Sequence, residues 1–99
     1  MMVINEDIDF EIVYSEQFQE DIEAHKKAGQ KAILKKIGTL IDELRKHPYI
    51  GTGNPEALKG NRKGQWSRRI TQKHRLIYEV SEQHVLVILL AAYGHYDDK

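Results

Sequence analysis

One apolar stripe constrains the fold of this chain more than any other feature. Its members recur at three- and four-residue spacing: Ile33, Leu34, Ile37, Leu40, Ile41 and Leu44. That spacing places them on one face of an α-helix, which Pro48 brings to an end. A helix of this kind packs its stripe against a second apolar layer.

Three strand-like runs downstream of this helix supply that layer: residues 66–70, 76–80 and 85–92. The links between them are short and polar, as in β-hairpins. Upstream, residues 8–14 alternate apolar and polar side chains, which predicts a first strand. Ser15 then offers an N-cap for a short helix that Gly29 ends. The order β, α, α, β, β, β predicts an α+β fold, a small antiparallel sheet with two helices packed on one face.

Length and composition exclude several classes of protein. The 99 residues suffice for one domain with a single core. The absence of Cys excludes disulfides, thiolate zinc sites and Cys nucleophiles. No apolar run approaches the ~20 residues needed to cross a bilayer, and the acidic start is unlike a signal peptide. We expect a soluble, cytoplasmic protein with no membrane partner.

The formal net charge is zero, yet the charges are segregated along the sequence. Residues 1–24 carry eight acids and no Lys or Arg, and residues 25–75 carry fourteen Lys and Arg against three acids. Residues 76–99 carry a net charge of −3. A neutral molecule can therefore present a basic surface to a polyanion. Alternatively, the acidic and basic faces pair with one another across the fold, and composition does not separate the two.

A loop of nineteen residues is predicted at 47–65, which holds both prolines and four of the seven glycines. Loops of this length in a small domain are usually functional or disordered. Glu56 is its one carboxylate, and no other acid lies between Glu43 and Glu79. Glu56 suits either a general base or an ion-pair anchor.

Cationic side chains in the second half are candidates for phosphate binding. Arg69 and Arg75 border the predicted strands and Lys59 lies in the loop. Alternation along the strands brings at least one Arg from each onto the face away from the helices. A guanidinium suits phosphate because its planar fork engages two oxygens. For any single cation, protection of an exposed strand is the alternative role.

His95 lies just beyond the last strand, beside Tyr93 and Tyr96, where it could donate or accept a proton on the same face or be incidental. Its proximity to Asp97 and Asp98 is weak grounds for a metal site, and none is expected. Glu, Arg and His together suit metal-free RNA cleavage. A carboxylate takes the 2′-hydroxyl proton, cations stabilise the phosphorus oxygens, and an imidazolium protonates the leaving 5′ oxygen.

Several separated blocks of sequence together resemble one family. They occur in order at 55–60 (PEALKG), 64–70 (GQWSRRI), 74–78 (HRLIY) and 95–96 (HY). The chain resembles the YoeB (Txe) branch of the RelE toxin superfamily over essentially all of 11–96. This resemblance implies a RelE-like, microbial-ribonuclease-like fold, in agreement with the two helices and four strands predicted above.

Members of that branch are toxins of type II toxin-antitoxin pairs that enter the bacterial ribosomal A site and cleave messenger RNA there. The resemblance implies an endoribonuclease without metal or cofactor, in which Glu56 is the general base, Arg75 stabilises the transition state and His95 is the general acid. It implies substrate-binding roles for Lys59, Arg69 and Tyr96. The expected products are a 2′,3′-cyclic phosphate, or the 3′-phosphate after its hydrolysis, and a 5′-hydroxyl.

The resemblance also implies a homodimer and a YefM-like antitoxin, whose acidic C-terminal segment would cover the site. Two features depart from the family pattern. Residues 1–9 form an acidic extension ahead of a single toxin domain at 10–99. This extension lengthens the first strand, is disordered or reflects an upstream start codon. The tail at 97–99 places two carboxylates beside the proposed acid and so bears on the strength of the activity.

Two other functions stay open from the sequence. A degenerate, catalytically weak homologue would retain antitoxin and operator-complex binding without cleavage. A general RNA-binding domain would need stacked aromatic side chains, of which the candidate strands offer chiefly Trp66 and Tyr78.

Overall fold

The computed structural model describes residues 9–94, and over that range two α-helices pack against a five-stranded sheet. The helices are α1 (Glu16–Lys27) and α2 (Lys31–Leu44). The strands are β1 (Glu11–Tyr14), β2 (Glu56–Ala57), β3 (Gln65–Arg69), β4 (Arg75–Ser81) and β5 (Leu86–Ala91). Neither of these helices is long and apolar enough to cross a membrane.

The strand order in the sheet is β1-β5-β4-β3-β2. β1 runs parallel to β5, whereas the three other neighbouring pairs are antiparallel. The predicted α+β fold is therefore confirmed, but its sheet is mixed rather than antiparallel throughout. The physical reason is that no hairpin joins β1 to β5: the two helices after β1 carry the chain across the sheet, so β1 can align with the last strand.

Ser15 joins the first strand to the first helix, as predicted. Its hydroxyl accepts a hydrogen bond from the Phe18 N–H at 3.0 Å and donates one to the Leu90 carbonyl at 3.0 Å. The first bond caps α1, and the second fixes that cap to β5. Gly29 follows the end of α1 with φ +70°, a left-handed conformation that glycine adopts without strain.

The predicted apolar stripe forms the buried face of α2. Ile37, Leu40 and Leu44 are buried, and they join the core cluster together with Leu76 and Leu89 from the sheet. The helix ends at Leu44, before the proline. The three predicted downstream strands are present as β3, β4 and β5, with each end within one residue of its predicted position.

The predicted loop at 47–65 contains structure that no sequence pattern indicated. Glu56 and Ala57 pair antiparallel with Ser67 and Trp66 as β2, the edge strand, and a 3-10 turn follows at Gly60–Arg62. A two-residue strand is too short to show any alternation. Glu56 is therefore a strand residue held in register rather than a loop residue.

The predicted division of the chain at residue 9 stays a prediction, because residues 1–8 lie outside the described range. Asp9 is described, and its carboxylate lies 2.6 Å from the Lys46 ammonium. The neighbouring Phe10 N–H donates to the Arg45 carbonyl at 2.6 Å. These contacts connect the start of β1 to the end of α2.

Candidate active site

The two faces of β3 carry opposite kinds of side chain. Trp66 and Arg68 lie on the helix-covered face, since their register partners are the buried core residues Tyr78 and Leu76. Ser67 and Arg69 alternate onto the other face, which we call the open face. Both predicted strand arginines reach this open face, because Arg69 is the direct register partner of Arg75.

Glu56 lies on the same open face as these two arginines. Its register partner is Ser67, and Ser67 in turn faces Ile77 on β4. The row containing Glu56 is therefore displaced by two residues, about 7 Å, from the row containing Arg69 and Arg75. Folding thus brings three of the predicted site residues onto one surface although nineteen positions separate the first from the last.

Arg69 and Arg75 form a pair of like charges across an antiparallel ladder. Arg69 is exposed and Arg75 is half-buried. Such directly opposed like charges are destabilising unless an anion lies between them. Within residues 9–94 neither guanidinium has a carboxylate partner. The pair has the charge and geometry to bind a phosphate.

Two buried polar atoms on this face lack a hydrogen-bond partner among the described residues: Arg75 Nε and Ser67 Oγ. Buried donors are nearly always satisfied in folded proteins, so each such exception needs a physical explanation. Ser67 is the register partner of Glu56, and Arg75 lies one row farther along the same face, where an anionic ligand would account for its Nε. Glu56 itself forms no ion pair within the described range, so the predicted ion-pair alternative receives no support.

Lys59 lies apart from the paired arginines. It precedes the 3-10 turn, and its side chain is exposed. Because β2 runs antiparallel to β3, moving from Glu56 to Lys59 leads away from Arg69. Glu56 therefore lies between Lys59 on one side and the arginine pair on the other.

Arg68 is fully buried, and the sequence analysis did not single it out. On the helix-covered face its Nη1 lies 2.9 Å from Glu43 Oε1, and its Nε donates to the Tyr78 hydroxyl at 3.2 Å. Its two terminal nitrogens also donate to the carbonyls of His47 (2.6 Å), Ile50 (2.8 Å) and Thr52 (3.2 Å). The sequence contains one indication of this role: alternation along the strand puts Arg68 on the same face as the apolar residues Trp66 and Ile70.

These bonds hold the segment between α2 and Glu56, residues 45–55, which we call the anchor loop. Thr52 donates to Glu43 from its N–H (2.8 Å) and its hydroxyl (2.5 Å). The Thr52 hydrogen bonds, assisted by Arg68, hold the pKa of Glu43 below its ordinary value despite some desolvation. Burial raises the pKa of Tyr78, whose hydroxyl donates to the Pro48 carbonyl at 2.7 Å.

Two glycines let the anchor loop approach β3 closely. Gly51 has φ +128°, and a Cβ there would collide with Glu43 Oε1. Gly53 has φ +87°, and a Cβ there would lie 2.9 Å from the Arg69 carbonyl oxygen. The Arg69 N–H donates to the Gly53 carbonyl at 2.7 Å. The loop that leads to Glu56 is thereby bonded to the strand that carries Arg69.

His95 and Tyr96 lie outside the described residues, as do Asp97 and Asp98. The backbone just before them is described, and the Arg75 N–H donates to the Gly94 carbonyl at 2.9 Å. The residue that precedes the predicted acid is therefore bonded directly to a predicted site residue. Within residues 9–94, no three His, Asp or Glu residues are grouped to hold a metal ion.

The predicted basic surface is favoured over mutual pairing of charged faces. Three ion pairs join residues within 9–94: Asp42 with Arg45, Asp9 with Lys46, and Glu43 with Arg68. Only the second of these joins the acidic N-terminal quarter to the basic stretch. Within the described part of the chain, most Lys and Arg side chains therefore face solvent without a carboxylate.

Comparison with known proteins places this arrangement in a family. Residues 14–96 match the family described as YoeB-like toxin of bacterial type II toxin-antitoxin system. Toxin YoeB of Escherichia coli K12 is 42% identical over 76 residues, which cover 77% of this chain and 89% of that protein.

Solved structures give the same result. A YoeB/ParE toxin from Agrobacterium tumefaciens superposes with a TM-score of 0.81 at 34% identity, over 87% of this chain and 99% of that one. Staphylococcus aureus YoeB has been solved as a dimer (TM-score 0.77, 33% identity, 88% and 98% coverage) and in a YoeB-YefM complex (TM-score 0.74, 34% identity, 88% and 98% coverage). The chain belongs to the YoeB-like toxins of bacterial type II toxin-antitoxin systems.

Proposed function

We propose that this toxin is a ribosome-dependent endoribonuclease that cleaves messenger RNA in the bacterial cytoplasm. The observation that carries the proposal is the open face, which Glu56 shares with two opposed arginines one row away, one of which has a buried Nε without a partner in the described range. A carboxylate base next to a cationic phosphate site suits attack of a ribose 2′-hydroxyl on its own phosphodiester.

In the proposed reaction Glu56 accepts the proton from the 2′-hydroxyl while the 2′ oxygen attacks phosphorus. Arg75 stabilises the charge that develops on the phosphoryl oxygens, and Arg69 and Lys59 hold the RNA backbone. His95 protonates the leaving 5′ oxygen, and Tyr96 helps to place that imidazole or a base. The products are a 2′,3′-cyclic phosphate and a 5′-hydroxyl, and no step requires a metal ion.

Cleavage is tested on ribosomes programmed with a defined message, with the new RNA ends mapped and their end groups identified. We expect wild-type protein to leave 5′-hydroxyl and 2′,3′-cyclic ends, and Glu56→Gln and His95→Ala to be slower by roughly 100-fold or more. Glu79→Gln is the matched control, since Glu79 is an exposed carboxylate on the same face. Uncut messages, or equal cutting by all variants, would refute the proposal.

We further propose that the toxin forms a homodimer and is neutralised by a YefM-like antitoxin. The Staphylococcus aureus dimer and YoeB-YefM structures support this inference. The opposed arginines offer a binding site to an acidic antitoxin segment as well as to RNA. Expression of the chain alone should arrest growth, and coexpression of the antitoxin should restore it. A harmless wild type that still binds antitoxin would instead indicate a catalytically weak homologue.

A further inference from the structure

Three side chains converge on the backbone that leaves β5, the exit segment Ala92–Gly94. The Asp21 carboxylate accepts a hydrogen bond from the Ala92 N–H at 2.8 Å, and His25 Nε2 donates to the Ala92 carbonyl at 2.9 Å. His74 Nδ1 accepts a hydrogen bond from the Gly94 N–H at 2.8 Å. Side chains therefore supply three of the hydrogen bonds that satisfy the backbone at the point where the sheet ends.

The sequence explains how α1 supplies two of these groups. Asp21 and His25 are four residues apart, so they lie on one face of the helix, and both are buried. Gln17, one turn earlier, donates its side-chain amide to Asp21 Oδ1 at 2.8 Å. A row of polar residues on a buried helix face costs desolvation, which these hydrogen bonds to the exit segment offset.

Three rings enclose the same segment. His25, His74 and Tyr93 contact one another pairwise, with ring centroids 4.8 to 4.9 Å apart. Both histidines carry a proton on Nε2. In His74 this follows because Nδ1 accepts a hydrogen bond, and in His25 because Nε2 donates one. The rings hold Tyr93 from the side while the hydrogen bonds hold its two neighbours.

Both backbone polar groups of Gly94 are thereby fixed. Its N–H is bonded to His74 and its carbonyl to the N–H of Arg75, two consecutive residues at the start of β4. Gly94 has φ +75°, a left-handed conformation that glycine adopts without strain. The next residue in the sequence is His95.

We propose that Asp21, His25 and His74 are positioning residues for His95, which they set relative to Arg75 through the exit segment. This inference rests on the proposed function, in which His95 is the general acid. Small displacements of a reacting group reduce rates steeply, so anchoring the residue before it has a kinetic effect. A purely structural role for the three residues would change stability and leave the rate per folded molecule unaltered.

Matched variants of His74 separate the two roles. His74→Phe keeps a ring against His25 and Tyr93 but removes the acceptor for Gly94. His74→Asn removes the ring and keeps an acceptor near the position of Nδ1. His84→Phe is the control, since His84 is exposed in the β4–β5 turn and bonds to Ser81.

The variants are compared by single-turnover cleavage on programmed ribosomes, after thermal melts establish the folded fraction of each. We expect His74→Phe to lower the single-turnover cleavage rate constant by roughly 10- to 100-fold, with the half-saturating toxin concentration unchanged. His74→Asn should recover most of that loss, and His84→Phe should match wild type. In a His95→Ala background, His74→Phe should cause no further loss, because the group it positions is absent.

Hydrogen exchange of the Gly94 amide in the free protein provides a readout that needs no cleavage. The hydrogen bonds from Asp21, His25 and His74 to the exit segment are here called the clasp. Faster exchange in His74→Phe than in His84→Phe supports the clasp, and unchanged exchange overturns it. The positioning role is also overturned if His74→Phe cleaves within about twofold of wild type, or slows the His95→Ala protein by the same factor as wild type. Failure of wild-type protein to cleave would refute the proposed function and leave the exchange result to decide the clasp.

Discussion

The anchor loop and the exit segment lead to the proposed base and the proposed acid, and they are held by different chemistry. The anchor loop is held by Arg68, a buried guanidinium that donates to three of its carbonyls. The exit segment is held by the carboxylate of Asp21 and the imidazoles of His25 and His74.

The contacts that hold the two segments also differ in their position in the fold. Arg68 lies between the sheet and α2 and bonds three carbonyls of the anchor loop, so its loss affects the whole fold. The clasp on the exit segment lies beyond the last residue of β5, where loss of one bond loosens only the local backbone. The segment before the proposed base is therefore supported by global stability, whereas the segment before the proposed acid depends on local contacts that can fail while the domain stays folded.

The largest expected effect is that of Arg68→Met on stability. The free energy of unfolding should fall by about 3–5 kcal/mol, because Glu43 loses its cation and the loop carbonyls lose their donors. Arg69→Met is the matched control one residue away: Arg69 is exposed and its guanidinium has no ion-pair partner in the described range, so its substitution should cost less than about 0.5 kcal/mol. Urea unfolding of both variants measures the difference. Similar small losses in the two would show that Arg68 does not anchor the loop.

A smaller effect is expected at the exit segment. Asp21→Ala leaves the buried Ala92 N–H without its acceptor, which should cost about 1–3 kcal/mol. Asp21→Asn keeps an acceptor oxygen and should recover much of that loss, while Glu20→Ala changes the exposed neighbour on the same helix. The same urea titration ranks these variants against Arg68→Met. A larger loss for Asp21→Ala than for Arg68→Met would reverse the comparison of the two segments.

The sequence predicted the parts of this fold whose patterns extend over many residues. The stripe on α2 repeats over three turns and the three downstream strands are bounded by polar turns, so both were located closely. β2 was missed because two residues carry no period, and its pairing depends on the register with Ser67 and Trp66. The parallel pairing of β1 with β5 was missed because contacts between chain ends leave no local pattern.

Alternation along the strands was enough to predict which face of the sheet two candidate residues occupy. Parity along the strands brought Arg69 and Arg75 to one face, and the register of β2 adds Glu56 to it. The position of Lys59 away from the arginines depends on the direction of β2, which composition cannot show. Arg68 was overlooked as an anchor because a buried guanidinium depends on five partners from distant parts of the sequence.

The smallest expected effect concerns how the free energy of unfolding falls at low pH, to which Glu43 and the anchor loop contribute. Because the folded-state pKa of Glu43 is lowered from 4.5, its ionised form stabilises the protein above that value, and this contribution is lost as the pH falls through the folded pKa. Thr52→Val removes the hydroxyl that contributes most to the lowering while keeping the side chain's shape. Unfolding free energies from about pH 6 to about pH 3 should therefore fall less steeply for Thr52→Val than for wild type. Thr39→Val is the matched control, since the Thr39 hydroxyl bonds only to a helix carbonyl within the described residues. An unchanged slope in Thr52→Val would show that the Thr52 hydroxyl does not lower the pKa of Glu43.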